Sequence, residues 1–244
     1  MKFGIIGNPV SHSQSPILFA EVFGGKYQYD RIEEPDFEKA YGKFLEEYEA
    51  VNVTMPFKEL AYYKSYPGSD AVRAIKAVNI LKKEGERVVG YNSDYLGVKA
   101  VLEKEGMAAS RALIVGCGGA AKAAAVAAVD AGCSVTMTNR SYEKCYSFVR
   151  HCDRDLRAVE PGRVRMEDFD SIIYAVPVAI DNLQGWSFAA KIVLEANYAN
   201  PVLRQKTIND GGRYLEGILW LKAQADTGYK IFLPDEEPQK RLYL

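Results

Sequence analysis

Arg111-Ala-Leu-Ile-Val-Gly-Cys-Gly-Gly-Ala-Ala-Lys-Ala-Ala-Ala-Val-Ala-Ala-Val-Asp-Ala-Gly132 sets an apolar run, a glycine cluster and an alanine-rich segment one after another. Ala112 to Val115 reads as a short buried strand that stops at Gly116. Gly116, Gly118 and Gly119 then fall within four residues, and a segment of helical length follows. Strand, glycine turn and helix in that order build a dinucleotide site. The glycines admit a pyrophosphate close to the backbone, and the N–H groups of the first helical turn, with the helix dipole, favour its negative charge. The small side chains of Ala120, Ala121, Ala124 and Ala128 let such a helix lie close on its sheet. The spacing departs from Gly-x-Gly-x-x-Gly, with Ala121 where the third glycine falls. Turns of this kind also serve nucleosyl-methionine sites and plain packing.

Downstream, Cys133 to Thr138 reads as the second strand of the same unit, ending in Asn139-Arg140-Ser141. A carboxylate about 20 residues beyond the glycines would bind the ribose 2′-hydroxyl of NAD. None stands at this strand end. Arg140 does, with Lys144 one helical turn later, and an arginine suits a 2′-phosphate through charged hydrogen bonds. The pattern therefore favours NADP. Asp168 to Val176 and Lys191 to Ala196 read as later strands, Val202 to Asn209 as a helix, and Gly217 to Ala225 as a last helix carrying Gln224.

Upstream, Lys2 to Gly7 reads as a buried strand, followed by the hydroxyl-rich loop Asn8-Pro-Val-Ser-His-Ser-Gln-Ser-Pro16. Ser15 is suited to cap a helix that starts at Pro16 and stops at Gly24-Gly25. Ser13 and Ser15 then stand at a helix N-terminus, where hydroxyls and unpaired N–H groups can hold a carboxylate. Tyr27 to Arg31 is a second strand, Asp36 to Glu47 an amphipathic helix and Ala50 to Val53 a third strand. Lys58 opens the next helix, where a cation opposes the helix dipole, so it is either solvated or held for a purpose. Ala77 to Lys83 and Arg87 to Asn92 read as a hairpin, leading into a helix from Tyr95 to Glu105 with Ser93 or Asp94 as its cap. Alternating β and α elements imply an α/β protein with a mostly parallel sheet and sites at the strand C-terminal ends.

At 244 residues the chain is long enough for two domains of ordinary size. Its net charge of −1 points to neither nucleic acid nor an anionic membrane as partner. No run approaches the ~18 apolar residues of a membrane span, and the opening Met1-Lys2-Phe3-Gly4 starts a strand rather than a signal peptide. Cys117, Cys133, Cys145 and Cys152 are scattered without Cys-x-x-Cys spacing, as expected of a reduced cytoplasmic protein. With only His12 and His151 beside them, no zinc site is expected, which disfavours a zinc alcohol dehydrogenase.

Several of these motifs together resemble the shikimate dehydrogenase family, nearly end to end and in the family's order. Asn8 to Pro16 matches its Asn-Pro-x-x-His-Ser-x-Ser-Pro, and Asn52-Val-Thr-Met-Pro-Phe-Lys58 matches Asn-Val-Thr-x-Pro-x-Lys. Ala77-Val-Asn79 and Gly90-Tyr-Asn-Ser-Asp94 match Ala-Val-Asn and Gly-x-Asn-Thr/Ser-Asp. Gly116 to Ala120 and Asn139-Arg140 match its cofactor motifs, and Gly217 to Gln224 its closing helix.

The resemblance implies Lys58 and Asp94 as the catalytic pair and Ser13 and Ser15 as the substrate carboxylate site. It implies Thr54, Asn79, Gln224 and Tyr198 around the ring hydroxyls, with Asn92 less directly involved. Gly116, Gly118, Gly119, Ala120, Asn139, Arg140, Ser141, Lys144 and Gly217 would bind NADP. The implied architecture is a substrate domain of residues 1–98 plus 213–244, mixed or mostly parallel α/β, and a Rossmann-type domain of residues 99–212. The implied reaction is NADPH-dependent reduction of 3-dehydroshikimate to shikimate, by a cytoplasmic monomer or homodimer without a metal. Rival readings are a quinate or dual-specificity dehydrogenase using NAD, a non-catalytic ligand-sensing homologue, and a nucleosyl-methionine methyltransferase. Three departures stand out. Phe19-Ala20 replace a His-Asn pair, Tyr174-Ala-Val-Pro-Val-Ala-Ile180 replaces a more polar cofactor motif, and Tyr198-Ala-Asn-Pro201 carries an extra residue.

Overall fold

The computed structural model of the chain describes residues 1–180 and 183–243. They form two compact units, Met1–Gly97 with Lys222–Leu244, and Val98–Leu221. The first contains β1 (Lys2–Gly7), α1 (Ser15–Phe23), β2 (Gln28–Glu33), α2 (Phe37–Glu47), β3 (Ala50–Val53), α3 (Lys58–Tyr63), β4 (Tyr66–Pro67), α4 (Asp70–Ile75), β5 (Ile80–Glu84) and β6 (Arg87–Tyr91). It also holds the first turns of α5 (Ser93–Lys104), within which the division falls.

Its sheet runs β2-β1-β3-β5-β6-β4. β1 is parallel to β2 and β3, and β4 to β6, whereas β5 is antiparallel to both β3 and β6. The sheet is therefore mixed, because the β5–β6 hairpin, turning at Gly85 (φ +62°), reverses the chain inside it. Period-two alternation sends β1 side chains to two cores. Ile6 packs with Val51, Val53, Phe37, Phe44 and Tyr48 on the α2 side. Phe3 faces Phe19, Tyr27 and Phe232, at 5.4 to 5.8 Å between ring centroids. Phe19 is the first of the departing residues, and it is fully buried in that aromatic layer. Ala77–Asn79, expected as strand, bends ahead of β5: Val78 N–H turns to the carbonyl of Lys58, and Asn79 N–H to that of Tyr91.

The second unit contains β7 (Arg111–Val115), α6 (Gly119–Asp130), β8 (Ser134–Thr138), α7 (Tyr142–His151), β9 (Leu156–Ala158), β10 (Ser171–Tyr174), β11 (Ile192–Glu195), α8 (Arg204–Asn209) and β12 (Arg213–Glu216). The chain then enters α9 (Gly217–Phe232), which crosses back into the first unit. The second sheet, β12-β11-β10-β7-β8-β9, is parallel throughout. Read from β9, the unit's strands fall in the order 3-2-1-4-5-6 of the doubly wound dinucleotide fold. Ala121 and Ala123 to Ala128 of α6 are all buried, so the helix backbone lies close on the sheet.

Two expectations change here. Arg213–Glu216 is a strand hydrogen-bonded to β11, so residues 213–221 group with the second unit rather than the first. The last helix runs beyond Ala225 to Phe232, because Tyr229 and Phe232 continue its apolar face into the aromatic layer of the first unit. Among the described residues no helix is long and apolar enough to cross a membrane.

Candidate active site

Lys58 is the first residue of α3 and Asp94 lies in the first turn of α5. The Lys58 Nζ donates to Asp94 Oδ2 at 2.5 Å, with the two side chains 20% and 9% exposed. A carboxylate at a helix N-terminus is favoured by the dipole and an ammonium is not. Asp94 therefore supplies what the helix start denies Lys58. Removing an ion pair this far from water costs desolvation that the pairing offsets only in part, so such a pair is weak evidence of a purely stabilising role.

The segments meet through backbone hydrogen bonds. Val53 N–H donates to Asn79 O, Asn79 N–H to Tyr91 O and Val78 N–H to Lys58 O, which ties together the ends of β3, β6 and α3. Asn79 is buried. Its Oδ1 accepts the Ser93 N–H at 2.7 Å, and its Nδ2 donates to Ser93 Oγ at 3.0 Å and to Gln224 Oε1 at 3.1 Å. Gln224 reaches Asn79 because α9 lies against α5 at Gly97, where an added Cβ would come within 2.5 Å of the Gln224 backbone nitrogen. Only glycine permits that approach.

Asn92 is the cap of α5, a role expected of Ser93 or Asp94. Its Oδ1 accepts the Tyr95 N–H at 3.0 Å and its Nδ2 donates to Ala77 O at 2.8 Å, so its amide is committed to the protein on both sides. Ser15, expected as a cap, is instead the first residue of α1, and Gln14 precedes it without a side-chain cap bond. Its hydroxyl accepts from Ser13 Oγ at 3.2 Å. The loop that carries both serines is pinned from β2: Glu33 accepts the N–H groups of Val10 and Ser11 at 2.8 and 2.9 Å, and Arg31 donates to Ser13 O at 2.9 Å. Thr54 is half-buried beyond β3, its N–H bonded to Ile6 O.

In the second unit a cavity of about 690 Å³ opens at the C-terminal ends of β7, β8 and β10. Gly116 leaves β7 with φ +122°, a conformation that side chains rarely adopt, and Gly118 precedes the first turn of α6. Gly118, Asn139, Arg140, Ser141 and Lys144 line this cavity, and no carboxylate is among its lining residues. Two cations without an acid suit a cofactor with an extra phosphate. Val176, Val178 and Ile180 line its other side, so the apolar departure lies against the cavity. Gly119 and Ala120 form the first turn of α6 beside Gly118.

Gly217 is not among the residues lining this cavity. It begins α9, packed so closely on the end of β11 that a Cβ would meet Glu195 O at 2.4 Å. Tyr198 follows β11 and is 39% exposed. Its loop is anchored by the fully buried Glu195, whose carboxylate accepts the N–H groups of Val202 and Leu203 at 2.6 and 3.0 Å and the Tyr214 hydroxyl at 2.9 Å. Tyr198 thus stands on the second unit, while Ser13, Ser15, Thr54, Lys58, Asn79, Asp94 and Gln224 all belong to the first. Asn52, in the stretch Asn52-Val-Thr-Met-Pro-Phe-Lys58, is a further polar residue of this unit that the sequence expectations do not include. A lone amide in the otherwise apolar strand Ala50–Val53 was the available signal. Asn52 accepts from the Tyr29 hydroxyl at 2.6 Å and donates to Asn79 O at 3.3 Å.

Residues 5–81 match the family model described as the shikimate dehydrogenase substrate binding domain. The shikimate dehydrogenase (NADP(+)) of Caldicellulosiruptor saccharolyticus is 39% identical over 60% of this chain and 57% of its own length. That of Methanococcoides burtonii is 30% identical over 97% of this chain and 93% of its own. Among solved structures, shikimate dehydrogenase from Aquifex aeolicus superposes with a TM-score of 0.85 at 27% identity, over 97% of this chain and 93% of that one. With the paired strand order, the Lys58–Asp94 contact and the acid-free cavity already in view, a 30% identity that runs through both units makes the assignment plain: the chain belongs to the shikimate dehydrogenase family.

Proposed function

We propose that this chain catalyses the reversible, NADPH-dependent reduction of 3-dehydroshikimate to shikimate. The observation that carries the reading is the Lys58–Asp94 contact, held at 2.5 Å inside the unit that also supplies Ser13, Ser15, Asn79 and Gln224. The names of the relatives from Caldicellulosiruptor and Methanococcoides, shikimate dehydrogenase (NADP(+)), support both substrate and cofactor.

Reduction of a ring ketone requires a hydride at carbon and a proton at oxygen. NADPH, when bound, supplies the hydride. Gly116, Gly118, Gly119 and Ala120 would present backbone to its pyrophosphate, and Arg140, with Asn139, Ser141 and Lys144, would take its 2′-phosphate. Gly217 would keep the start of α9 clear beside the nicotinamide end. The Lys58 ammonium gives its proton to the developing alkoxide and becomes a neutral amine, which solvent reprotonates; in the oxidative direction the amine takes the hydroxyl proton. Asp94 holds the ammonium in line and accepts a hydrogen bond from the adjacent ring hydroxyl. The hydroxyls of Ser13 and Ser15, at the start of α1, hold the substrate carboxylate. Thr54, Asn79 and Gln224 meet ring hydroxyls, and Asn92 acts at one remove by capping the helix that carries Asp94.

A steady-state assay with shikimate and NADP at mildly alkaline pH tests substrate, cofactor and chemistry together. Turnover on shikimate that exceeds turnover on quinate, and with NADP over NAD, is the expected result. A protein inert toward every cyclohexene and cyclohexane acid would end the reading.

A further inference from the structure

We propose that Tyr29 is a positioning residue for the substrate, its hydroxyl setting the orientation of the Asn52 amide beside Asn79. The inference rests on the reading that Ser13, Ser15, Asn79 and Gln224 hold the acid.

A phenol has a single proton to give, and Tyr29 gives it to Asn52 Oδ1 at 2.6 Å. With its oxygen so engaged, the Asn52 amide must turn Nδ2 toward Asn79, whose carbonyl accepts at 3.3 Å. One of the two Nδ2 protons is used there, on the residue whose own amide holds Gln224. Burial raises the phenol's pKa, and the nearby Ser15 hydroxyl lowers it only in part. Tyr29 thus remains a protonated donor at any working pH. Its ring packs in the aromatic layer, 4.8 Å from Phe19 and 6.5 Å from Phe232 between centroids. Tyr29, Asn52, Asn79 and Gln224 therefore form one connected run with the Tyr29 hydroxyl at its start.

The test is Tyr29→Phe, which keeps the ring and removes the hydroxyl. Tyr27→Phe is the control, since Tyr27 also sits in the aromatic layer but donates to Glu236 at 2.6 Å, away from these residues. Losing one part-buried hydrogen bond of this kind predicts a shikimate KM raised about tenfold, with kcat within about threefold and the KM for NADP unchanged. Tyr27→Phe is expected to leave all three constants as they were. The double variant Tyr29→Phe/Asn52→Leu should lose no more than Asn52→Leu alone, a non-additivity that a merely structural tyrosine would not give. A shikimate KM within twofold of wild type in Tyr29→Phe, an equal rise in Tyr27→Phe, or additive losses in the double variant would each overturn the inference while leaving the proposed activity standing. A wild-type protein inert toward shikimate removes both. If Tyr29→Phe melts well below Tyr27→Phe, Asn52→Leu reads the same link from its other end, by the same KM rise with kcat retained.

Discussion

The two units build their candidate sites in opposite ways. The first uses side chains: Lys58, Asp94, Asn79 and Gln224 are fixed by hydrogen bonds of 2.5 to 3.1 Å that cross between helices and strands far apart in sequence. The second uses backbone: a glycine at φ +122°, a helix start and a cavity rimmed by Arg140 and Lys144. A side-chain site is lost by removing an atom, and a backbone site by adding one. That asymmetry determines how each should fail.

The largest effect is expected at the paired charges. Lys58→Ala should lower kcat by about 10²–10⁴, the usual worth of acid–base help, with the KM for NADP unmoved, and Asp94→Asn should fall in the same range. A loss confined to KM would place Lys58 among the binding groups and blur the contrast between units. Next, Arg140→Ser removes charged hydrogen bonds worth roughly 1.5–3 kcal/mol, so the KM for NADPH should rise about tenfold to a hundredfold while that for NADH stays put. Equal losses with both cofactors would mean that Arg140 does not read the extra phosphate. Gly118→Leu adds atoms where an ideal Cβ meets nothing within 4 Å, at an unstrained φ of −86°. Its melting temperature should therefore hold while the KM for NADPH rises about tenfold, the equivalent of one displaced pyrophosphate contact. A variant that unfolds instead would show that the turn is packed rather than open.

The smallest effect lies on the surface of the second unit. The Arg111 guanidinium donates two hydrogen bonds to Asp170, at 2.9 and 2.6 Å, and its backbone N–H a third at 3.1 Å, which together hold the carboxyl at a pKa of about 2. A folded-state pKa below the unfolded one stabilises above the unfolded value of about 4, and that contribution fades as pH falls through about 2. Both side chains are about half exposed, so salt screens most of it. Asp170→Asn should lower the melting temperature slightly at pH 6 in dilute buffer, and the difference should vanish near pH 2 or in strong salt. A difference that persists at pH 2 would assign the role of Asp170 to its hydrogen bonds and not its charge.

Legibility in the sequence followed the same division. The glycine turn, the strand before it and Arg140 were readable because the determinants of a backbone site are local: a run of small residues forces one short turn. Lys58 announced itself as a cation at a helix start. What could not be read locally was pairing across the chain. That Asn92 rather than Asp94 caps α5 depends on Ala77 taking its Nδ2. That Arg213–Glu216 is a strand depends on β11 lying beside it, for four residues carry too little pattern of their own. Asn52 and Tyr29 were silent for the same reason, since neither has a partner within its own element. Phe19 departs from the family's polar pair because five aromatic neighbours fill that side of the sheet, and only the fold shows them together.

The first unit is made from two stretches that flank the second in sequence: Phe3 meets Phe232 at 5.4 Å, Lys82 donates to the Ile231 carbonyl, and Asn79 waits on Gln224. On the ribosome, then, the glycine-turn unit has its whole sequence translated before the earlier-born half of its neighbour can close. Birth order and completion order are inverted, and the nascent N-terminal segment must carry an uncovered aromatic layer until the final helix emerges.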